Sequence, residues 1–160
     1  MNKLPELASK IECTGCTTCA NICAQQCIDM SEDIEGFLYP KINLSQCISC
    51  GICEQVCPVL NGKRKNEILT KAYSAFTYNN SLRKESSSGG IFSELAILIL
   101  RKEGIVYGAS YDDNCTVEHI GVDNIKDLKK LRGAKYSQSQ IGSIFQSVKD
   151  PLSKHDQFKF

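Results

Sequence analysis

Hydrophobic runs long enough to cross a bilayer are missing from this sequence of 160 residues. The apolar stretch within Ile91 to Lys102 falls short of the roughly 20 residues a span requires and is interrupted by Glu94. The opening segment, Met1 to Ile11, has no apolar core of the length a secretory signal needs, and acidic residues stand at Glu6 and Glu12. A reducing cytoplasm is therefore the expected setting. No GxGxxG run occurs, so nothing points to a dinucleotide-binding fold. No basic face interleaved with aromatic side chains is present, which argues against nucleic acid as a partner. Histidine is scarce, at 2 residues, and His155, in the polar tail KDPLSKHDQFKF, has no cysteine or carboxylate constellation around it and reads as exposed.

Cysteine is abundant, at 10 residues. Cys47, Cys50, Cys53 and Cys57, followed by Pro58, spell CxxCxxCxxxCP, and the same cysteine spacing stands 34 residues earlier at Cys13, Cys16, Cys19 and Cys23. Two intervening residues let the backbone curl so that three thiolates wrap one face of an iron–sulfur cube. The fourth cysteine starts a short helix that carries it away from its own triplet, and in two-cluster ferredoxins it ligates the other cluster. The expected metal ligands are thus Cys13, Cys16, Cys19 and Cys57 for one 4Fe-4S cluster, and Cys47, Cys50, Cys53 and Cys23 for the other. A disulfide framework would need an oxidising compartment. Structural zinc favours two CxxC pairs separated by a longer loop over a triplet with a trailing fourth cysteine.

The spacer from Cys27 to Ile42 reads as a hairpin, with Ile28 and Met30 alternating on one strand, Leu38 and Ile42 on the return, and an acidic turn ending at Gly36. Pro40 requires its strand to be an edge. The expected first domain runs from residue 5 to residue 59, too small to rely on a hydrophobic core alone, so the clusters should act as its core and the apo-chain should be largely unfolded there. Cys27 reads as a small buried hydrophobe, with a spare ligand as the sharper alternative. Cys115 reads as a packing residue in a strand. With eight thiolates and two oxidised cubane cores, the formal net charge of +1 becomes about −3. The basic run Lys63, Arg64, Lys65 sits in an expected linker of residues 60–70, solvated or serving as a docking patch for an acidic electron carrier.

Beyond the linker, residues 71–160 read as an α/β pattern. Ala72 to Tyr78 is an expected strand. Ile91 to Lys102 is an expected helix with Phe92, Leu95, Leu98 and Ile99 as its apolar side. Ile105 to Tyr111 and Thr116 to Val122 are successive strands. Asp123 or Asn124 caps a short helix through Leu131, with Leu128 and Leu131 inward. A final helix covers Gln140 to Lys149 and ends before Pro151. Two stretches in this half look chemical. Ser86-Ser87-Ser88-Gly89-Gly90 stands at the start of the Ile91 helix, where free amides and the helix dipole suit a phosphate, or where Ser88 caps the helix and the glycines form a turn. Arg132-Gly133-Ala134-Lys135-Tyr136 follows the capped helix. Gly133 would end it, leaving Lys135 and Tyr136 as contacts for a flavin or as ordinary surface residues.

The double cysteine motif, SSSGGIFSELA at residues 86–96 and LRGAKYSQSQIG at residues 131–142 stand in one order, with GIVYGASYDDNCTVEHI between the last two. In these elements, which span most of residues 10–145, the chain resembles the coenzyme F-420 hydrogenase/dehydrogenase beta-subunit family. The resemblance implies an α+β chain: a two-cluster ferredoxin-like domain followed by a partial α/β domain that binds FAD. It implies an oxidoreductase subunit in which a flavin exchanges hydride with a diffusible carrier such as a deazaflavin, and single electrons with the clusters. By the same likeness, Ser87, Ser88, Gly89 and Gly90 are candidates for the flavin-phosphate loop, and Lys135 and Tyr136 for the flavin side. Ala24 stands where the first motif usually has proline, and family members continue past this chain's end with the loop that completes the cofactor site. The expectation is therefore either a truncated or split member or one whose flavin pocket another chain completes, working with a redox partner such as a ferredoxin or another oxidoreductase subunit in an oxygen-poor cell. The alternatives are a plain two-cluster carrier without flavin, and an inactive remnant.

Overall fold

The computed structural model describes residues 3–62 and 71–154. The Lys63–Lys65 run, most of the expected linker and His155 lie outside the described residues. Among the described residues the chain divides into two units: the residues up to Gly62 together with those from Ile141 on, and the residues between them. The stretch from Ile141 thus groups with the N-terminal unit, where a single second domain over 71–160 was expected. The secondary structure is mixed, with short helices and two small antiparallel sheets.

In the first unit, β1 (Ile28–Glu32) and β2 (Leu38–Ile42) pair antiparallel, Ile28 opposite Ile42 and Met30 opposite Pro40. In a two-stranded sheet every strand is an edge, so the missing amide of Pro40 leaves no ladder bond unmade. The turn is built by Asp33, whose carboxylate accepts hydrogen bonds from the amides of Glu35 (2.9 Å) and Phe37 (3.0 Å), while Gly36 takes φ +83°. Lys10 lies 2.8 Å from the same carboxylate and 5.0 Å from the centre of the Tyr39 ring. Its hydrogen bond to Asp33 holds that carboxyl below the usual range. Helices α1 (Thr18–Ile22), α2 (Ile52–Gln55) and α3 (Pro58–Asn61) are one turn or little more each. The buried core of this unit is Cys27, Ile28 and Cys53, with Leu7, Ala20 and Ile42 packed around them. Three small buried residues are far less than an independent domain of this length needs.

The second unit contains α4 (Asn80–Lys84), α5 (Ile91–Leu100), and β3 (Val106–Tyr111) paired antiparallel with β4 (Val117–Val122), followed by a 3-10 helix, Asp127–Leu131. Asn124 Oδ1 accepts the Asp127 amide at 3.0 Å from the turn ahead of the helix, whose own N-cap position, Lys126, makes no side-chain cap bond. Leu128 (0 % exposed) and Leu131 are buried as expected, and Leu128 joins Ala96 and Leu100 as the core. Leu128→Ala removes the largest fully buried side chain of this core, and it should lower the unfolding free energy of this unit by about 2–5 kcal/mol, read by denaturant titration.

Four expectations need correction. Residues 72–78 form no strand. Tyr73, Phe76 and Tyr78 are exposed, and the Thr77 amide donates instead to the Gly89 carbonyl at 2.8 Å, tying the segment to the serine–glycine loop. The helix at Ile91 forms, but Phe92, Leu95, Leu98 and Ile99 face outward and the buried stripe is Ser93, Ala96 and Leu100. The sequence is apolar on nearly all sides there, so periodicity could not select a face, and the small residues allow the closest approach. Cys115 is exposed, at φ +62° in the β3–β4 turn, where Asp112 accepts the Thr116 amide at 2.7 Å. The last helix, α6 (Ile144–Lys154), starts later than expected and continues through Pro151.

Candidate metal centre

The two cysteine triplets are curled by the same backbone device. Gly15 (φ +63°) and Thr17 (φ +58°) flank Cys16, and Ser49 (φ +54°) and Gly51 (φ +71°) flank Cys50. Each pair is offset by the repeat of the cysteine motif. Left-handed residues on either side of the middle cysteine turn successive amides inward, a concavity suited to negative sulfur. Two are not glycine, so the surrounding loop must hold them there at a cost. Thr17 and Gly51 then begin α1 and α2, which carry Cys19 and Cys53. The trailing cysteines are also equivalent: Cys23 (φ −69°, ψ 106°) closes α1, and Cys57 (φ −68°, ψ 118°) precedes α3. Pro58 at the first position of α3 has no amide to leave unpaired. Without a proline, the chain after Cys23 folds into a turn in which the Gln26 amide donates to the Cys23 carbonyl at 3.0 Å.

One cavity in this unit is walled by Cys13, Cys16, Cys19 and Cys57, the last reaching it from the second motif, with Leu7, Met30 and Pro40 among its apolar lining. The Thr18 hydroxyl approaches Cys16 Sγ at 3.4 Å, and the Ser49 amide approaches Cys47 Sγ at 3.4 Å. Cys23 and Cys47 pack against the Cys27–Ile28–Cys53 core, while Cys50 is exposed. Cys23 Sγ lies 3.5 Å from Cys27 Sγ. Cys27 therefore occupies the buried position expected of it.

Thiol acidities follow from this crowding. Burial pushes the Cys19 thiol up to about 11, with the Cys16 and Cys13 charges adding to it. Burial likewise raises Cys53. Burial, then the Cys23 thiol and its charge, push Cys27 up to about 11. Burial acts upward on Cys16 and Cys23 too, but hydrogen bonds outweigh it and both end below the ordinary thiol value: from Thr18 and Thr14 for Cys16, and from Cys27, Gln25 and Gln26 for Cys23. Thiols gathered this closely resist ionising together unless a cationic centre offsets their charge. An all-sulfur donor set in an apolar hollow suits an iron–sulfur core. Among the described residues no three of His, Cys, Asp and Glu converge as ligands to one ion.

Residues 12–61 match the 4Fe-4S dicluster domain. This dicluster domain makes the chain an iron–sulfur electron-transfer protein. Along 96% of its length the chain is 24% identical to a subunit of the F(420)H(2) dehydrogenase of Methanosarcina mazei, and it covers 46% of that relative. Over 57 residues it is 35% identical to an NADH-quinone oxidoreductase subunit of Pelobacter propionicus, 31% of either chain. Over 56 residues it is 38% identical to the corresponding NADH-quinone oxidoreductase subunit of Geobacter metallireducens, 32% of this chain and 43% of that one. The chain thus spans less than half the length of these curated relatives. Its dicluster domain is related to subunits of oxidoreductases, and among the described residues no helix is long and apolar enough to cross a membrane.

The second unit has a cavity of about 330 Å³ bounded by Ser86 to Ser93, Ala75, and Leu131 to Gly133. Ser87, Ser88, Gly89 and Gly90 line it. Both glycines have a steric role: a Cβ on Gly89 would lie 2.4 Å from the Ala75 carbonyl oxygen, and Gly90 takes φ +81° as the N-cap of α5, which no side chain caps. Lys135 and Tyr136 are not in the lining. The Lys135 ammonium donates to the Arg132 (2.9 Å) and Lys130 (3.2 Å) carbonyls, capping the 3-10 helix, and burial lowers its pKa. Tyr136 is 96 % exposed. The cation at the cavity is Arg132, whose Nε donates to Ser93 Oγ at 3.1 Å while the guanidinium pairs with Glu85. Arg132 belongs to the same stretch that the sequence singled out, three residues before Lys135. The signal for Arg132 was its position just before Gly133: where the helix stops, that side chain turns back toward α5.

Proposed function

We propose that this chain is an electron-transfer subunit of an oxidoreductase, carrying two 4Fe-4S clusters held by interleaved thiolates: Cys13, Cys16, Cys19 and Cys57 on one, Cys47, Cys50, Cys53 and Cys23 on the other. The observation that carries this reading is the cavity that gathers the first triplet and the trailing cysteine of the second motif. When bound, each cube passes one electron at a time. The protein's part is to supply thiolates, to aim loop amides at the sulfurs and to keep water away with Leu7, Met30 and Pro40. Potentials are then tuned by those hydrogen bonds and by exposure, which differs between buried Cys53 and exposed Cys50.

The second unit, in this reading, offers an anion site for a flavin phosphate. Ser87, Ser88, the amides at Gly89 and Gly90, and Arg132 are its donors, and the hydride carrier is F-420 or a similar compound. A cavity of about 330 Å³ is at the small end of ligand pockets. It accommodates the phosphate end of such a cofactor, and the remainder needs further protein, from this polypeptide or another subunit. A carrier that uses its clusters alone is the second reading, favoured by the engagement of Lys135 with backbone carbonyls away from the cavity. Anaerobic purification with iron, sulfide and flavin assayed on one sample separates the two. About eight irons with bound flavin is the expected result, about eight irons without flavin selects the plain carrier, and a colourless zinc protein rejects both.

A further inference from the structure

We infer that Cys27 is a fifth thiol of the second cluster site, able to take over the iron vertex of Cys23. The inference rests on the ligand sets proposed above. Cys27 is 2 % exposed and sits in the same small core as Cys53, with Cys23 and Cys47 packed against it. Its sulfur is 3.5 Å from that of Cys23. Each iron of a 4Fe-4S cube has a single corner for a thiolate, its other three being bridging sulfides, so Cys27 holds that iron only in place of Cys23, and a sulfur 3.5 Å away is near enough to move into the vacated corner. The turn between them is short and held by the Gln26 amide on the Cys23 carbonyl, with Gln26 itself at φ +48°. The second motif has no equivalent thiol: Asn61, four residues after Cys57, stands in that place and donates to the Glu54 carbonyl. The reserve is thus confined to one of the two clusters.

The exchange is a ligand substitution with no change of oxidation state. Cys27 loses its proton as its sulfur bonds to iron, and the departing Cys23 thiolate takes up a proton as its own bond breaks. It gives the site a way to keep its cluster when Cys23 is removed or modified, and to return once Cys23 is restored.

The test compares wild type, Cys23→Ala, Cys27→Ala and the double variant, purified anaerobically, by iron content and by electron paramagnetic resonance of the reduced proteins. Wild type at about eight irons establishes that both clusters are present, and the Cys57→Ala variant checks the ligand sets separately. Against that, Cys23→Ala is expected to keep about eight irons with one altered spectrum, Cys27→Ala to keep about eight irons, and the double variant to fall to about four. A Cys23→Ala protein that loses as much iron as the double variant overturns the inference. Should Cys23→Ala not fold, Cys23→Ser retains a polar atom at that position. Adding Cys27→Ala to it changes the spectrum if thiol 27 holds the iron, and leaves it unchanged if Cys27 only packs.

Discussion

Cys57→Ala should empty the cluster site of the first cysteine motif, although Cys57 belongs by sequence to the second. Iron is expected to fall from about eight to about four per chain, and the reduced spectrum that survives should be the one lost in Cys50→Ala and kept in Cys16→Ala. The reason is geometric. Cys57 leaves α2 in an extended conformation and precedes α3, and it lines a cavity whose other thiols are Cys13, Cys16 and Cys19. The substitution leaves Pro58 in place, so α3 keeps its start and the effect reports on the missing sulfur. No other cysteine lines that cavity. Loss should therefore be complete, in contrast to position 23. If Cys57→Ala instead matched Cys50→Ala, each motif would hold its own cluster and the interleaved arrangement would be wrong.

What could be read ahead of the structure depended on how local the determining chemistry was. The cysteine spacing, the hairpin with Gly36 at its turn, and the inward Leu128 and Leu131 are set by residues within a few positions of one another. Matching backbone at Cys23 and Cys57 follows from the repeat itself. The outward face of α5 was illegible because a helix apolar on nearly every side has no periodic signal, and packing chose Ala96 over Leu95 on size. The strand expected at 72–78 failed for a different reason: its alternation was real, but its backbone partner was the Gly89 carbonyl and no strand edge. Lys135 and Arg132 could not be ranked from sequence, since both are cations beside Gly133. Only the fold shows that one is engaged by carbonyls and the other reaches Ser93.

Removing the iron should unfold the first unit while the β3–β4 hairpin persists. Under anaerobic chelation, amide exchange at residues 28–42 is expected to accelerate at least about 100-fold, equivalent to about 2.7 kcal/mol of lost protection at 1.36 kcal/mol per tenfold. The expectation follows from the core. Apart from Ile28, the residues of the buried hydrophobic core here are thiols, Cys27 and Cys53, and further cysteines, Cys19, Cys23 and Cys47, pack against them. The helices are four or five residues long, well below the length at which a helix holds without tertiary support. Burial also disfavours ionising Cys19, Cys27 and Cys53, so the metal-free site has neither charge neutralisation nor a sufficient apolar interior. The second unit is built otherwise, on Ala96, Leu100 and Leu128 with Val106 against them, and metal removal takes nothing from that packing. Re-addition of iron and sulfide should restore protection at residues 28–42. Amides there that exchange at an unchanged rate after complete iron loss would show that the hairpin and its helices stand without the clusters.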